Sequence, residues 1–408
     1  MSDRDWADEW SDRLEDLLLE VGYVFPRWEL RQRAADCVRG LLAPLSRKNG
    51  WQLAEHASED TPWGQQHLLD RARWDADELR DFTRRYVVAG LDDGGVGAGP
   101  EGSGVLVVDE TGFAKRGHAS AGVAHQYPGA LGGVFPCQIG VMAAWATAAG
   151  QALIDRELYL PKEWTTDRER CRRARIPDEA GFLTKPRQAE HMIERALPDL
   201  PAGRIWVAAD EVYGRDGAFR SLLEAHRLPY AVAVQANQTV LPRPAWRHAA
   251  RLVERVAHED EWITLPAGPS QLDTRDWQWW VRRIPDPDSE VGEDAWARWL
   301  IVRRRPEQPA ERDYYLAWGP QDTPLEELVL VPGARWRVED AIKLAKSACG
   351  MADYEVRHYH GWYRRISLAQ LAAGFLAVQD ALTKRESDPD HQQDASDGAP
   401  AAHTGGPR

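Results

Sequence analysis

The middle of the chain alternates short apolar runs with amphipathic stretches, and this restricts its fold more than any other feature. VLVVD (105–109), RIWVAAD (204–210) and YAVAVQ (230–235) are too short for buried helices and read as strands buried on both faces. Between the last two and ahead of them, FRSLLEAH and RQAEHMIERAL repeat apolar residues every three or four positions, the pattern of helices packed on a sheet. PCQIGVMAAWAT and QALIDRELYL read as two further strands, joined as a hairpin across Ala149-Gly150.

Three neighbouring strands followed by helix, strand, helix and strand match the β-β-β-α-β-α-β order of an RNase H-like (retroviral integrase-like) α/β core. The chain divides around it. Residues 1–91 carry helical periodicity throughout and predict an N-terminal all-helical domain. Glycine-rich residues 92–104 form a linker, and 105–235 hold the first part of the core. Residues 236–333, where WQWWVRRI, RWLIVRRR and YYLAWG are separated by proline and acidic turns, predict a β-rich insertion. Helices over Trp336–Cys349 and Ile366–Thr383 complete the core within 334–385, and 386–408 is too poor in apolar residues to fold.

Two of the strand runs end in an aspartate, Asp109 and Asp210. A third acid, Glu339, lies on a helical pattern whose apolar stripe is Val338, Ala341, Ile342 and Ala345 and whose polar face carries Arg335, Glu339, Lys343 and Lys346. Two strand carboxylates and one helix carboxylate, if they converge, make an oxygen-rich cage suited to two Mg²⁺ ions, with Mn²⁺ as a substitute. Glu110, Glu211 and Glu355 compete for the same role, and spacing does not eliminate them.

A net charge of −13, from 64 acidic and 51 basic residues, is unusual for a protein that binds DNA through its phosphates. The acids, however, crowd the first twenty positions, 75–81 and the tail, whereas basic residues cluster at 168–175, 282–283, 303–305 and 357–365. The last cluster, RHYHGWYRR, interleaves Arg357 and Arg364 with aromatic residues including Trp362, so a partly basic DNA face is expected. The four scattered cysteines suit neither a zinc site nor a disulfide scaffold, and the acidic N-terminus has no signal-peptide pattern, so a cytoplasmic, nucleoid-associated protein is expected.

Several long segments resemble transposases of the IS701 family, related to the IS4 group of DDE transposases. They include RKNGWQLAEHA (47–57), VLVVDETGFAKRG (105–117), IDRELYLPKEWTTDRERC (154–171), ADEVYG (209–214) and DYEVRHYHGWYRRISL (353–368), within a likeness running from Glu29 to about Val378. The resemblance implies that the catalytic, metal-holding carboxylates are Asp109, Asp210 and Glu339. It further implies Mg²⁺-dependent cleavage at transposon ends followed by strand transfer, with terminal inverted repeats and target DNA as double-stranded partners and a homodimer in the DNA complex. Arg335 and Lys346 match the arginine and lysine of the IS4-group signature and are expected to grip DNA phosphates, whereas Pro332 stands where that signature has tyrosine. Relatives more commonly carry Arg and Asn at His125 and Pro136, and His at Arg365. In related enzymes a flipped base stacks on an aromatic ring, for which Trp277, Trp279, Trp280, Trp296 and Trp299 are candidates. A catalytically inactive, domesticated transposase and a plain nuclease on the same fold are the alternatives.

Overall fold

The computed structural model describes residues 3–92, 104–127, 132–201, 203, 205–241, 248–266, 276–285 and 295–387. Most of the expected linker, nearly all of the expected tail and parts of the insertion lie outside the described residues.

The strands are β1 (Gly104–Ala114), β2 (Ala124–Gln126), β3 (Phe135–Ala146), β4 (Gln151–Tyr159), β5 (Ile205–Ala209), β6 (Tyr230–Val234), β7 (Ile263–Pro266), β8 (Asp276–Ile284), β9 (Trp296–Arg305) and β10 (Gln308–Pro320). All ten join one mixed sheet in the order β2-β3-β1-β5-β6-β10-β9-β8-β7, with β4 paired to β3. The expected hairpin is the antiparallel pair β3–β4, and β1, β5 and β6 run parallel.

The insertion strands continue this sheet. Tyr314 to Trp318 of β10 pair antiparallel with Val234 to Tyr230 of β6, so the edge that β6 would otherwise present is closed by the apolar YYLAW run. The periodicity of each piece was legible, but the partner of each strand was not.

The helices are α1 (Asp3–Glu20), α2 (Trp28–Leu42), α3 (Gly50–His56), α4 (Trp63–Asp70), α5 (Ala76–Gly90), α6 (Lys162–Thr165), α7 (Arg168–Arg173), α8 (Lys185–Ala196), α9 (Glu211–Gly214), α10 (Gly217–Ala225), α11 (Ala249–Val256), α12 (Leu325–Ser347) and α13 (Tyr359–Ser387). Several starts follow from capping side chains. Asn49 accepts from the amides of Trp51 and Gln52, Asp75 from Asp77, and Thr184 from Arg187 ahead of Pro186.

The two C-terminal helices begin earlier than the sequence suggests. α12 starts at Leu325 and runs through Pro332, which is buried and contributes no amide hydrogen to the ladder. α13 is apolar on every side because it is a central core element: Leu368, Ala369, Leu371 and Ala372 are fully buried. It is long and apolar enough to cross a membrane, yet 78% of its most apolar window is buried inside the protein. The N-terminal helices pack on it, so that Leu30, Val38 and Leu41 share one core with Ile366, Leu368 and Leu371. All four cysteines are free and buried.

A charged node fastens these layers. Asp155 of β4 is fully buried and takes Arg195 Nε at 2.7 Å and Nη2 at 2.9 Å, with Arg80 and Arg84 of α5 at 4.0 and 3.9 Å. Gln370 of α13 donates to its carbonyl at 3.0 Å.

Candidate active site

Strand register brings the two aspartates together. The parallel pairing of β1 with β5 ends at Val108↔Ala209, and the next residue on each strand is Asp109 and Asp210. Asp210 therefore follows the carboxyl end of β5, the edge at which open α/β sheets hold their ligands, and Asp109 stands beside it midway along β1, where pairing with β5 stops and pairing with β3 continues to Ala114. Asp210 also caps α9, its Oδ1 accepting from Val212 N at 2.8 Å, and Gly214 presses that short helix against β6. A Cβ at Gly214 would lie 1.9 Å from the Ala233 carbonyl oxygen, so no larger residue fits without moving the turn that carries Asp210.

Asp109, Asp210 and Glu110 each offer a carboxylate oxygen within 4.8 Å of the others, close enough to share a cation. Glu110 has other engagements. One oxygen meets Lys185 Nζ, and the other accepts from the Tyr213 hydroxyl at 3.1 Å. Glu110 was one of the competing acids named from the sequence, but Lys185 and Tyr213 had no sequence signal connecting them to the site.

Glu339 approaches from α12. Its Oε1 lies 3.4 Å from Arg335 Nη1, and the same nitrogen is 3.8 Å from Asp109 Oδ2, so one guanidinium bridges the helix acid and the strand acid. Glu339 is the more open of the two, its side chain 45% exposed against 13% for Asp109. Arg335, expected to grip phosphate, here serves as the counter-ion of the carboxylates.

The electrostatics are those of an acidic cluster short of positive charge. Burial, and then the Asp210 carboxylate, push Asp109 up to about 7, while Arg335 only partly opposes them. Burial and Glu110 raise Asp210, and burial raises Glu339, with Asp340 and Asp210 adding to it. An all-carboxylate donor set whose members resist ionising together fits a hard divalent cation such as Mg²⁺.

Because folding raises Asp109, its ionisation is disfavoured in the folded chain. That cost is absent below its ordinary value of 3.8 and grows as pH rises toward about 7. In chelator, the melting temperature relative to that of Asp109→Asn should therefore fall between about pH 4 and pH 7. Millimolar Mg²⁺ should recover most of the difference, as paired thermal melts would show.

The other expected DNA contacts divide. Lys343 and Arg357 are exposed, Arg357 on the wall of a cavity of about 1000 Å³. Lys346 instead turns inward, donating to Thr111 Oγ1 at 2.6 Å and Gly112 O at 2.9 Å, so it braces α12 against β1 next to the site. Burial lowers it to about 8.

Arg364 donates to the carbonyls of Leu69 and Trp74 at 3.2 Å, tying α13 to the N-terminal helices. Trp362 is fully buried, edge-on to Phe113, and Trp299 is 7% exposed within the sheet. Both rings pack in the protein's own core in the chain without DNA. The same holds for Trp277, Trp279 and Trp280, while Trp296 packs on Trp318 at 4.1 Å. Arg303 and Arg304 of the basic run are buried and paired with Asp313 and Glu259.

The departures from the resembling pattern have structural contexts. His125 and Pro136 face each other across β2 and β3. Arg365 is buried and donates to Lys48 O at 2.8 Å and Gly350 O at 2.6 Å, holding the turn between α12 and α13.

Asp109, Asp210 and Glu110 form an acidic group that could hold a divalent cation, with Glu339 joined to it through Arg335. The chain belongs to the DDE superfamily endonuclease family, whose model matches residues 21–282. It is also 25% identical over 328 residues to a Microchaete diplosiphon protein described as "Probable transposase for insertion sequence element IS701", a match spanning 78% of this chain and 75% of the relative. The resemblance to IS701-type DDE transposases is thereby borne out. Asp109 and Asp210 lie inside the family match, and Glu339 lies beyond its end.

Proposed function

We propose that this protein is a DDE transposase on an RNase H-like core. It would cleave DNA at the terminal inverted repeats of a mobile element and join the freed ends to target DNA. The observation that carries this reading is the strand register that sets Asp109 beside Asp210, with Glu339 linked to Asp109 through Arg335. Asp109, Asp210 and Glu339 would be the residues that hold Mg²⁺, two ions being expected, with Mn²⁺ as a substitute. When bound, such ions lower the pKa of an attacking water or 3′-hydroxyl and stabilise the leaving 3′-oxygen.

The protein's own groups prepare that chemistry. Lys185 and Tyr213 hold Glu110 from both sides, which keeps its charge beside the aspartates without freeing it to serve as a third ligand. Lys346 fixes the spacing between α12 and β1, and therefore between Glu339 and Asp109. Arg335 balances the carboxylates in the metal-free chain and can turn to phosphate when cations arrive. Lys343 and Arg357 remain as exposed contacts for the DNA backbone, in a complex proposed to contain two copies of the chain.

Glu110 and Glu339 are the two contenders for the third acid, and cleavage of a labelled duplex bearing the element's end separates them. Glu339→Gln should lower Mg²⁺-dependent cleavage by about 10³-fold, the scale of losing one group from a concerted site. Glu110→Gln, acting through its neighbours, should cost about 10- to 100-fold. The reverse order would hand the third position to Glu110. Cleavage without joined products would indicate a nuclease on this fold.

A further inference from the structure

On the side of the molecule where the N-terminal helices meet the start of α13, a second group of potential metal ligands stands apart from the carboxylate cluster. Asp70 is the last residue of α4, His358 immediately precedes α13 and His360 is its second residue. One atom from each lies within 4.8 Å of the others. Asp70 Oδ1 meets His358 Nδ1 directly and is 3.5 Å from His360 Nε2, while that Nε2 is 2.7 Å from the Asp70 carbonyl oxygen. The two imidazoles stack at 5.8 Å with 17° between their planes, so both present a ring nitrogen to the same carboxylate.

We propose that Asp70, His358 and His360 form a site for a divalent first-row transition ion, Zn²⁺ being the best chemical match. Two imidazoles and one carboxylate are a common ligand set for such ions, and ligands on a tetrahedral zinc with bonds of about 2 Å stand roughly 3.3 Å apart. The 3.5 Å separation is already close to that spacing, and the direct contact between Asp70 and His358 would open for the ion to replace the proton they share. The fourth position has room, because Asp70 and His358 also line the cavity of about 1000 Å³, which can supply water.

Among the described residues, Arg175 pairs with this carboxylate, its Nη1 3.6 Å from Asp70 Oδ2, the oxygen opposite the one that faces the histidines. It is half exposed and can swing into solvent. Arg364, on the next turn of α13, is engaged by the carbonyls of Leu69 and Trp74. The role that follows is a clamp. The ion would fasten α4 to the turn that connects α12, which carries Glu339, with α13, without entering the strand-end site.

The test uses the full chain carrying Asp109→Asn and Asp210→Asn, so that the carboxylate cluster cannot report, stripped with chelator and titrated with Co²⁺ and then Zn²⁺. One Co²⁺ per chain should bind with visible ligand-field bands, Zn²⁺ should bleach them, and Zn²⁺ should raise the melting temperature. His360→Ala and Asp70→Asn should each lose the bands and the Zn²⁺-dependent shift. Chelator-treated melts show whether each variant folds, and His358→Gln provides a third, milder substitution. Absence of bands in the parent protein at micromolar Co²⁺, or bands that survive in folded His360→Ala and Asp70→Asn proteins, would overturn the proposal and leave the three residues as a hydrogen-bonded tether.

Discussion

Asp210→Asn should lower metal-dependent DNA cleavage by about 10³-fold or more while the protein remains folded. Asparagine is the informative replacement because Asp210 has two duties. Its Oδ1 caps α9 through Val212 N, and asparagine caps helix starts about as well as aspartate. The substitution therefore removes the charge and retains the turn. Asp109→Asn should behave alike, since Asp109 stands beside Asp210 on the neighbouring strand and burial with the Asp210 carboxylate pushes it up to about 7. Both variants should melt slightly higher than the parent in chelator at neutral pH, because each relieves repulsion among buried carboxylates. DNA affinity measured by anisotropy should change little, as neither residue supplies positive charge to the phosphates. A variant that cuts at the parental rate would remove its residue from the site.

The largest effect on stability is expected at Asp155. Asp155→Ala leaves Arg195 without its principal bidentate partner, and Arg80 and Arg84 without the buried charge they surround. Breaking a buried ion pair from one side costs about 3–5 kcal/mol, because the surviving charges stay desolvated. Arg195 keeps Glu157 at 2.6 Å, and Arg84 keeps Asp199, also at 2.6 Å, which favours the lower part of that range. The node joins β4, α5, α8 and α13, so the loss should appear as cooperative destabilisation in denaturant melts, with the midpoint shifted and the slope unchanged. A change under 1 kcal/mol would mean that the arginines find other partners.

These expectations depend on features that were unevenly legible in the sequence. Asp109 and Asp210 were visible because a charged residue closing a strongly apolar run is conspicuous. The apolar stripe of its helix gave Glu339 a polar face, its choice over Glu110, Glu211 and Glu355 rested on the resemblance, and its link to Asp109 through Arg335 is a long-range contact that no local pattern encodes.

Where residues sit in surroundings that the sequence did not suggest, the missing information was tertiary. Lys346 and Arg364 look like free cations in a basic stretch, yet each is held by hydroxyl or carbonyl oxygens from distant segments. Trp362 stands in a basic cluster and Trp299 among the stacking candidates, but the two faces of a sheet or central helix cannot be told apart when both are buried. The insertion strands had the correct period, and their union with β6 depended on which edge the core left open. α12 extended through Pro332 because Leu328, Val329 and Val331 bury their side chains, which outweighs the missing amide.

The central claim, that Asp109, Asp210 and Glu339 together hold the catalytic metals, is tested most directly by anomalous diffraction from crystals of the protein soaked in Mn²⁺ with a transposon-end duplex bound. The account predicts two Mn²⁺ peaks, with Asp109 touching both, Asp210 one and Glu339 the other, and Arg335 displaced from between the carboxylates. Mn²⁺ held by Asp109, Asp210 and Glu110, with Glu339 still paired to Arg335, would contradict it.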